Sequence, residues 1–229
     1  MNDLTVELKE NTLGWGADLI GVADISGLKM PFPRAISVAV ALNPDIVETL
    51  SDGPSLRYQD EYTSVNGRIN DILNRIVRFL SDRGHKAEME PASSPDFDRR
   101  TLSASFPHKT AATLAGLGWI GKNALLITEE YGSAVRLGTV FTDAPLDADV
   151  PVLESSCGTC SACLQECPVN APGDRSWSPG MDRGSLVEIE ACMGQLKFFM
   201  DERGLNHAIC GICIRCCPWT ERYLRKDRD

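Results

Sequence analysis

All nine cysteines of this 229-residue chain lie after residue 156, and their spacing constrains the C-terminal third more tightly than any other feature. The run Cys157-Gly-Thr-Cys160-Ser-Ala-Cys163-Leu-Gln-Glu-Cys167-Pro168 reads C-x2-C-x2-C-x3-C-P. Three thiolates separated by two residues each, on a loop that curls around a cube of iron and sulfide, can reach three irons of one [4Fe–4S] cluster. The fourth cysteine then turns away to a second cluster, and the proline after it redirects the chain. A second group follows as Cys210-Gly-Ile-Cys213-Ile-Arg-Cys216-Cys217-Pro218, with Cys192 isolated between the two. Zinc is the competing reading, but zinc sites seldom interlock eight cysteines in this order. Disulfides are disfavoured because no secretory leader opens the chain, which points to a cytoplasmic protein.

Two cubanes need eight thiols, so one cysteine is in excess. With each Cys-Pro cysteine taken as a crossing ligand, Cys157, Cys160, Cys163 and Cys217 serve the first cluster. Cys167, Cys192, Cys210 and Cys213 then serve the second, and Cys216 is spare. The rival assignment replaces Cys192 by Cys216, as plain ferredoxin spacing would have it.

Ahead of the cysteines the pattern is that of a mixed α/β domain. A first helix is expected from Asp3 to about Gly16, with Asp3 as its cap, and strands at Leu19–Ala23 and Ala35–Leu42. Between Asp60 and Arg83 the apolar positions Tyr62, Val65, Ile69, Ile72, Leu73, Ile76, Phe79 and Leu80 mark one face of a long amphipathic helix that Gly84 stops. A strand at Lys86–Glu90, a helix at Pro107–Leu117 and strands at Ala124–Thr128 and Ala134–Thr142 complete it. The proline-flanked passage Pro145 to Pro151 divides residues 1–150 from a cysteine-bearing domain, 151–229.

Composition excludes some classes. No apolar run approaches the roughly 20 residues that cross a bilayer, so no membrane partner is expected. A net charge of −9 without a basic stripe argues against nucleic acid.

One stretch, His108 to Thr128, reads HKTAATLAGLGWIGKNALLIT. Gly116, Gly118 and Gly121 match G-x-G-x-x-G, yet they follow a helix and precede a strand, the reverse of a dinucleotide site. Such a loop can let backbone approach a large cofactor, with Lys122 and Asn123 reaching its polar groups and Trp119 packing on it. It is equally compatible with a tight helix-to-strand turn.

The Ala115-to-Asn123 segment and the cysteine order together resemble the epoxyqueuosine reductases, cobalamin-dependent iron–sulfur enzymes of tRNA modification that are related to reductive dehalogenases. In that family too a C-x2-C-x2-C-x3-C-P run is followed by a lone Cys and then by C-x2-C-x3-C-P-W, which Cys210, Cys213, Cys217, Pro218 and Trp219 match; Cys216 is spare on that ground. The resemblance, over about residues 15 to 225, implies a nitroreductase-like domain that holds a corrinoid, followed by a ferredoxin-like two-cluster domain. It implies a corrinoid site including Gly116, Gly118, Trp119, Gly121, Lys122 and Asn123, and a ferredoxin or flavodoxin as electron donor. The nitroreductase-like fold also accommodates flavin.

The chain departs from that family in two places. The position of the family's proton-donating Asp is Leu102 here, with His108-Lys109 in place of a following Glu-Arg pair, which makes His108 the candidate replacement acid; Tyr58 and Tyr62 are further candidates by analogy with the dehalogenases. Asp96 and Asp98 sit in a polar stretch expected to be solvated. The C-terminal helical repeats that help the family hold tRNA are not seen, which with the net charge argues for a small-molecule substrate over tRNA. Two functions follow: a reductase whose clusters feed a bound cobalamin, or an electron carrier that activates a partner such as a corrinoid protein.

Overall fold

The computed structural model describes residues 1–93 and 106–226. In chain order the elements are α1 (Asp3–Gly14), β1 (Leu19–Asp24), β2 (Arg34–Ala41), α2 (Pro44–Val47), α3 (Leu56–Ser81), β3 (Ala87–Glu90), α4 (His108–Leu114), β4 (Trp119–Ile120), β5 (Leu126–Ile127), β6 (Val135–Thr142), α5 (Ala162–Gln165), α6 (Ile189–Arg203), α7 (Ile212–Arg215) and α8 (Pro218–Lys226). They divide into two compact units. One comprises residues 1–41, 64–117 and 136–152, and the other residues 42–63, 118–135 and 153–229. The last of these divisions falls between Val152 and Leu153, and two earlier segments also join the cysteine-bearing unit. Leu102, Asp96 and Asp98 lie outside the described residues.

In the first unit a four-stranded sheet runs in the order β1-β2-β6-β3, with β1 antiparallel to β2 and β3 antiparallel to β6. The Val, Ile and Ala runs of β1 and β2 are buried because the chain covers them. Leu8 of α1 and Ile69, Leu73, Ile76 and Leu80 of α3 are fully buried, as are Val22, Ile36, Val38 and Val140 of the strands. The apolar stripe of α3 is seated on the sheet. A Cβ at Gly138 of β6 would stand 2.5 Å from Ile69 Cγ2 and 2.8 Å from Leu73 Cδ1, so only glycine leaves room for the helix. Gly84, at φ +82°, takes the left-handed turn just beyond the helix. The cap of α1 is Asn2, whose side chain accepts from Thr5 N at 2.9 Å; Asp3 is the first helical residue instead.

The second unit has little regular sheet. Its β4–β5 hairpin pairs Trp119 with Ile127 and Ile120 with Leu126. Residues 42–63 support the later helices from within the same unit. Phe199 of α6 fills the space a side chain at Gly53 would need, and Arg203 donates to the Pro54 carbonyl at 2.7 Å. Leu50 packs against Gly211 at the start of α7, and the Tyr223 hydroxyl of α8 donates to the Leu42 carbonyl at 2.8 Å.

Candidate metal centre

The second unit gathers the cysteines from loops and from the first turns of short helices. The Cys157–Cys160 turn closes through Cys160 N to Cys157 O at 3.0 Å, with Gly158 at φ +52°. Cys163 lies in α5, Cys192 in α6 and Cys213 in α7. Cys217 stands immediately before α8, with Pro218 as the first helical residue and with backbone N–H groups of Trp219 and Thr220 directed to its sulfur. Proline is at home in the first position of a helix, where no N–H is needed, and a thiolate is favoured at a helix N-terminus. The Cys-Pro pair therefore has a local purpose at this end of the chain.

Cys157, Cys160, Cys163 and Cys217 line one cavity together with Lys122, Asn123, Ile127, Ala162, Pro218 and Trp219. These are the four cysteines that the crossing-ligand pattern groups together. Cys216 is not among the lining residues. The remaining thiols stand near one another. Cys210 has Cys192 and Cys167 as neighbours, Cys192 has Cys167, and Cys213 has Cys210 and Cys167 as well as Cys216 and Cys163. Cys216 lies beside Cys163 and Cys217. Among the described residues no three His, Cys, Asp or Glu side chains converge to hold a single metal ion; the thiols surround a space instead of meeting at a point.

Burial dominates the electrostatics of the thiols. It pushes Cys163 up to about 11, with Cys157, Cys160 and Cys217 adding repulsion. It pushes Cys210 up to about 11 against the opposing Ile212 N–H, and Cys216 up to about 12 with Cys163 and Cys217 adding to it. Cys192, Cys213 and Cys217 are raised by the same cause. Without metal these thiols hold their protons at neutral pH, so metal binding must release them. Four thiols around one cavity, walled by Ile127, Ala162, Pro218 and Trp219 and supplied with backbone N–H groups, fit an iron–sulfur cluster.

Two residues of the loop expected to meet a corrinoid bond to the cysteine loops. Lys122, 3% exposed, donates through Nζ to the Cys160 carbonyl at 3.0 Å and to Asp174 Oδ1 at 2.6 Å. Asn123 donates through Nδ2 to the Cys213 carbonyl at 3.2 Å and accepts from Leu125 N at 3.1 Å. One residue pair thus touches both cysteine loops. The glycines have reasons within the chain. A Cβ at Gly118 would lie 2.0 Å from the Ile127 carbonyl oxygen, one at Gly121 2.5 Å from Ile127 Cδ1, and one at Gly116 2.6 Å from the Val150 carbonyl oxygen. Trp119 is 3% exposed, and its ring meets Trp219 edge-to-face at 4.9 Å. Lys122 and Asn123 nevertheless line the cysteine cavity, and the buried Trp119 Nε1 has no hydrogen-bond partner.

His108 opens α4 in the first unit with both ring nitrogens engaged. Nε2 lies 3.0 Å from the Pro91 carbonyl, which can only accept, so Nε2 carries the proton and Nδ1 accepts from the Thr139 hydroxyl at 2.8 Å. Burial lowers its pKa and keeps the ring neutral, against the opposing effect of the Pro91 hydrogen bond. In the second unit Tyr58 is buried, and Tyr62 stacks at a tilt on His207 with ring centroids 5.3 Å apart. Spacing does not disclose the attachment of Lys122 and Asn123 to the cysteine loops. The one signal available was their hairpin's position between two glycine-dependent turns.

No family model matches the chain. Curated relatives named epoxyqueuosine reductase do: that of Synechococcus sp. (strain CC9605) is 32% identical over 173 residues, 70% of this chain and 48% of the relative. That of Vibrio cholerae is 32% identical over 202 residues, 82% and 50% of the respective chains, and that of Pseudomonas aeruginosa 34% over 177 residues, 73% and 43%. The chain therefore spans about half the length of the curated relatives it matches. Among solved structures, a catabolic reductive dehalogenase in complex with 3-bromo-4-hydroxybenzoic acid superposes with a TM-score of 0.71 at 18% identity, covering 93% of this chain and 31% of that one. An epoxyqueuosine reductase with an epoxyqueuosine-modified tRNA-Tyr stem loop superposes with a TM-score of 0.61 at 21% identity, covering 95% and 65%.

That last structure overturns one expectation. The argument against tRNA does not stand, since a relative of the same fold holds a tRNA stem loop. Net charge summed over a whole chain does not report the charge of the face that meets a ligand. Among the described residues no helix is long and apolar enough to cross a membrane. With a mixed α/β fold shared with a reductive dehalogenase and with the epoxyqueuosine reductases, the chain is a homologue of the latter, which are oxidoreductases.

Proposed function

We propose that this chain is an iron–sulfur reductase that relays single electrons through two [4Fe–4S] clusters. The observation that carries the reading is the cavity lined by Cys157, Cys160, Cys163 and Cys217. Cys167, Cys192, Cys210 and Cys213 hold the second cluster, and Cys216 is not a ligand. The protein accepts electrons from a ferredoxin or flavodoxin and works in the cytoplasm. Its first unit is read as a nitroreductase-like domain and its second as a ferredoxin-like one. Within the second unit the chain's own work is to hold the thiols, to wall the first cluster with Ile127, Pro218 and Trp219, and to direct N–H groups at Cys217. Cobalamin, when bound, would supply a strongly reducing cobalt to a small molecule or to an epoxide of the kind named in the relatives. Gly116, Gly118, Trp119, Gly121, Lys122 and Asn123 are the candidates for its site, and His108 is the candidate acid.

A second reading has an observation of its own. Because Lys122 and Asn123 bond to the chain's own cysteine loops, this reading makes the protein an electron carrier that reduces a separate corrinoid protein. The test is anaerobic reconstitution, iron counting and titration with cobalamin, followed by absorbance and electron paramagnetic resonance. About eight irons per chain with a shifted cobalt spectrum support the reductase, and assays on epoxyqueuosine-containing tRNA and on small epoxides then follow. Eight irons with no cobalt shift support the carrier. A chain that takes up a single zinc and no iron sinks both.

A further inference from the structure

We infer that Lys122 is a positioning residue of the first cluster that also sets its reduction potential, with Asp174 as the counterweight. The inference rests on the reading that the four-cysteine cavity holds a cluster. Lys122 lines that cavity, and its side chain is 4% exposed while that of Asp174 is 75% exposed. The ammonium spends one hydrogen bond on the Cys160 carbonyl at 3.0 Å and one on Asp174 Oδ1 at 2.6 Å. A buried ammonium is costly to desolvate, and one carboxylate on the water side offsets it only in part. A positive charge is thereby fixed at the wall of the space between the thiols.

The consequence follows from charge alone. A [4Fe–4S]2+ core with four thiolates carries −2, and uptake of one electron takes it to −3 with no bond formed or broken. A fixed cation nearby favours the more negative state and raises the potential; net charge and hydrogen bonding are the levers by which proteins tune such clusters. Lys122 also ties the Cys160 turn to the β4–β5 hairpin, 38 residues earlier in the chain, so the charge and the ligand loop are held by the same atom. Asp174, placed in solvent, subtracts part of the effect.

The experiment is an anaerobic redox titration of the reconstituted full chain with dithionite, read by electron paramagnetic resonance, alongside iron counting. Lys122→Met should lower the reduced-to-oxidised ratio of one cluster about tenfold at a fixed potential, equivalent to a fall of about 59 mV for one electron, and leave the other cluster where it was. Asp174→Asn should move the same cluster in the opposite direction by a smaller amount, and Lys122→Arg should return it toward the unaltered protein. A merely structural role would move both variants the same way or shed iron. Loaded variants with unmoved midpoints overturn the inference, and so do shifts of equal sign. If Lys122→Met fails to fold, the direction of the Asp174→Asn shift decides the matter. An unaltered chain without cluster iron overturns the underlying reading as well.

Discussion

The two units hold themselves together by different means. In the first, a sheet and the part of α3 from Ser64 onward bury Val, Ile and Leu side chains against one another. In the second, the segment from residue 153 onward carries helices of four residues around the thiols, turns at positive φ such as Gly158, Asn170 and Gly211, and cysteines of which only Cys217 is buried. Four-residue helices do not persist without tertiary support. A regular core can be specified by apolar periodicity, whereas a ligand cage is specified by where a few sulfurs must stand, and its backbone bends to suit them.

The comparison can be broken at three points. The largest effect is expected in the cage: Cys192→Ser should cut the iron content of the reconstituted protein from about eight to about four per chain, while Cys216→Ser should leave it unchanged. Iron analysis with electron paramagnetic resonance reads both, and the reverse result would restore the plain ferredoxin assignment. Next, Leu73→Ala in the regular core should cost about 2–5 kcal/mol by urea denaturation, since it removes a fully buried side chain seated against Gly138. The iron content of the folded variant should not change. The smallest effect concerns His108. Its burial lowers the folded-state pKa below the ordinary 6.5, so the unfolded chain takes up the proton first as pH falls. The contribution of His108 is full above about pH 6.5 and is lost as pH drops toward the folded value. The stability difference between the native protein and His108→Gln should therefore shrink between pH 7.5 and pH 5; a constant difference would show that the buried neutral ring is not linked to protonation.

What could be read from the sequence divides along the same line. The apolar period of α3 and the short apolar runs of β1 and β2 locate their elements to within a few residues, because each is set by neighbours close in sequence. The Cys-Pro spacing groups Cys157, Cys160 and Cys163 with Cys217, and these four line one cavity, with the proline that opens α8 placing Cys217 at the helix start. The target of Lys122 and Asn123 was not legible. Their partners are 38, 52 and 90 residues away, and no local pattern states a contact at such range. The same holds for Gly118, where a Cβ would meet the Ile127 carbonyl on the facing strand. The net charge of −9 misled about tRNA because a sum over the chain erases the positions of its 23 basic side chains.

The hydroxyl of Tyr223 on the carbonyl of Leu42 joins positions 181 residues apart within the cysteine-bearing unit. During translation, Cys157 leaves the ribosome about 60 residues ahead of Cys217, which at roughly 5–20 residues per second is an interval of about 3–12 seconds. For all but the first few residues of that interval the first three thiols are present without Cys217 or the helix that follows it. On the proposed reading, a complete first site exists only after Cys217 has emerged, and the nascent chain must carry its earlier thiols through that window unoxidised.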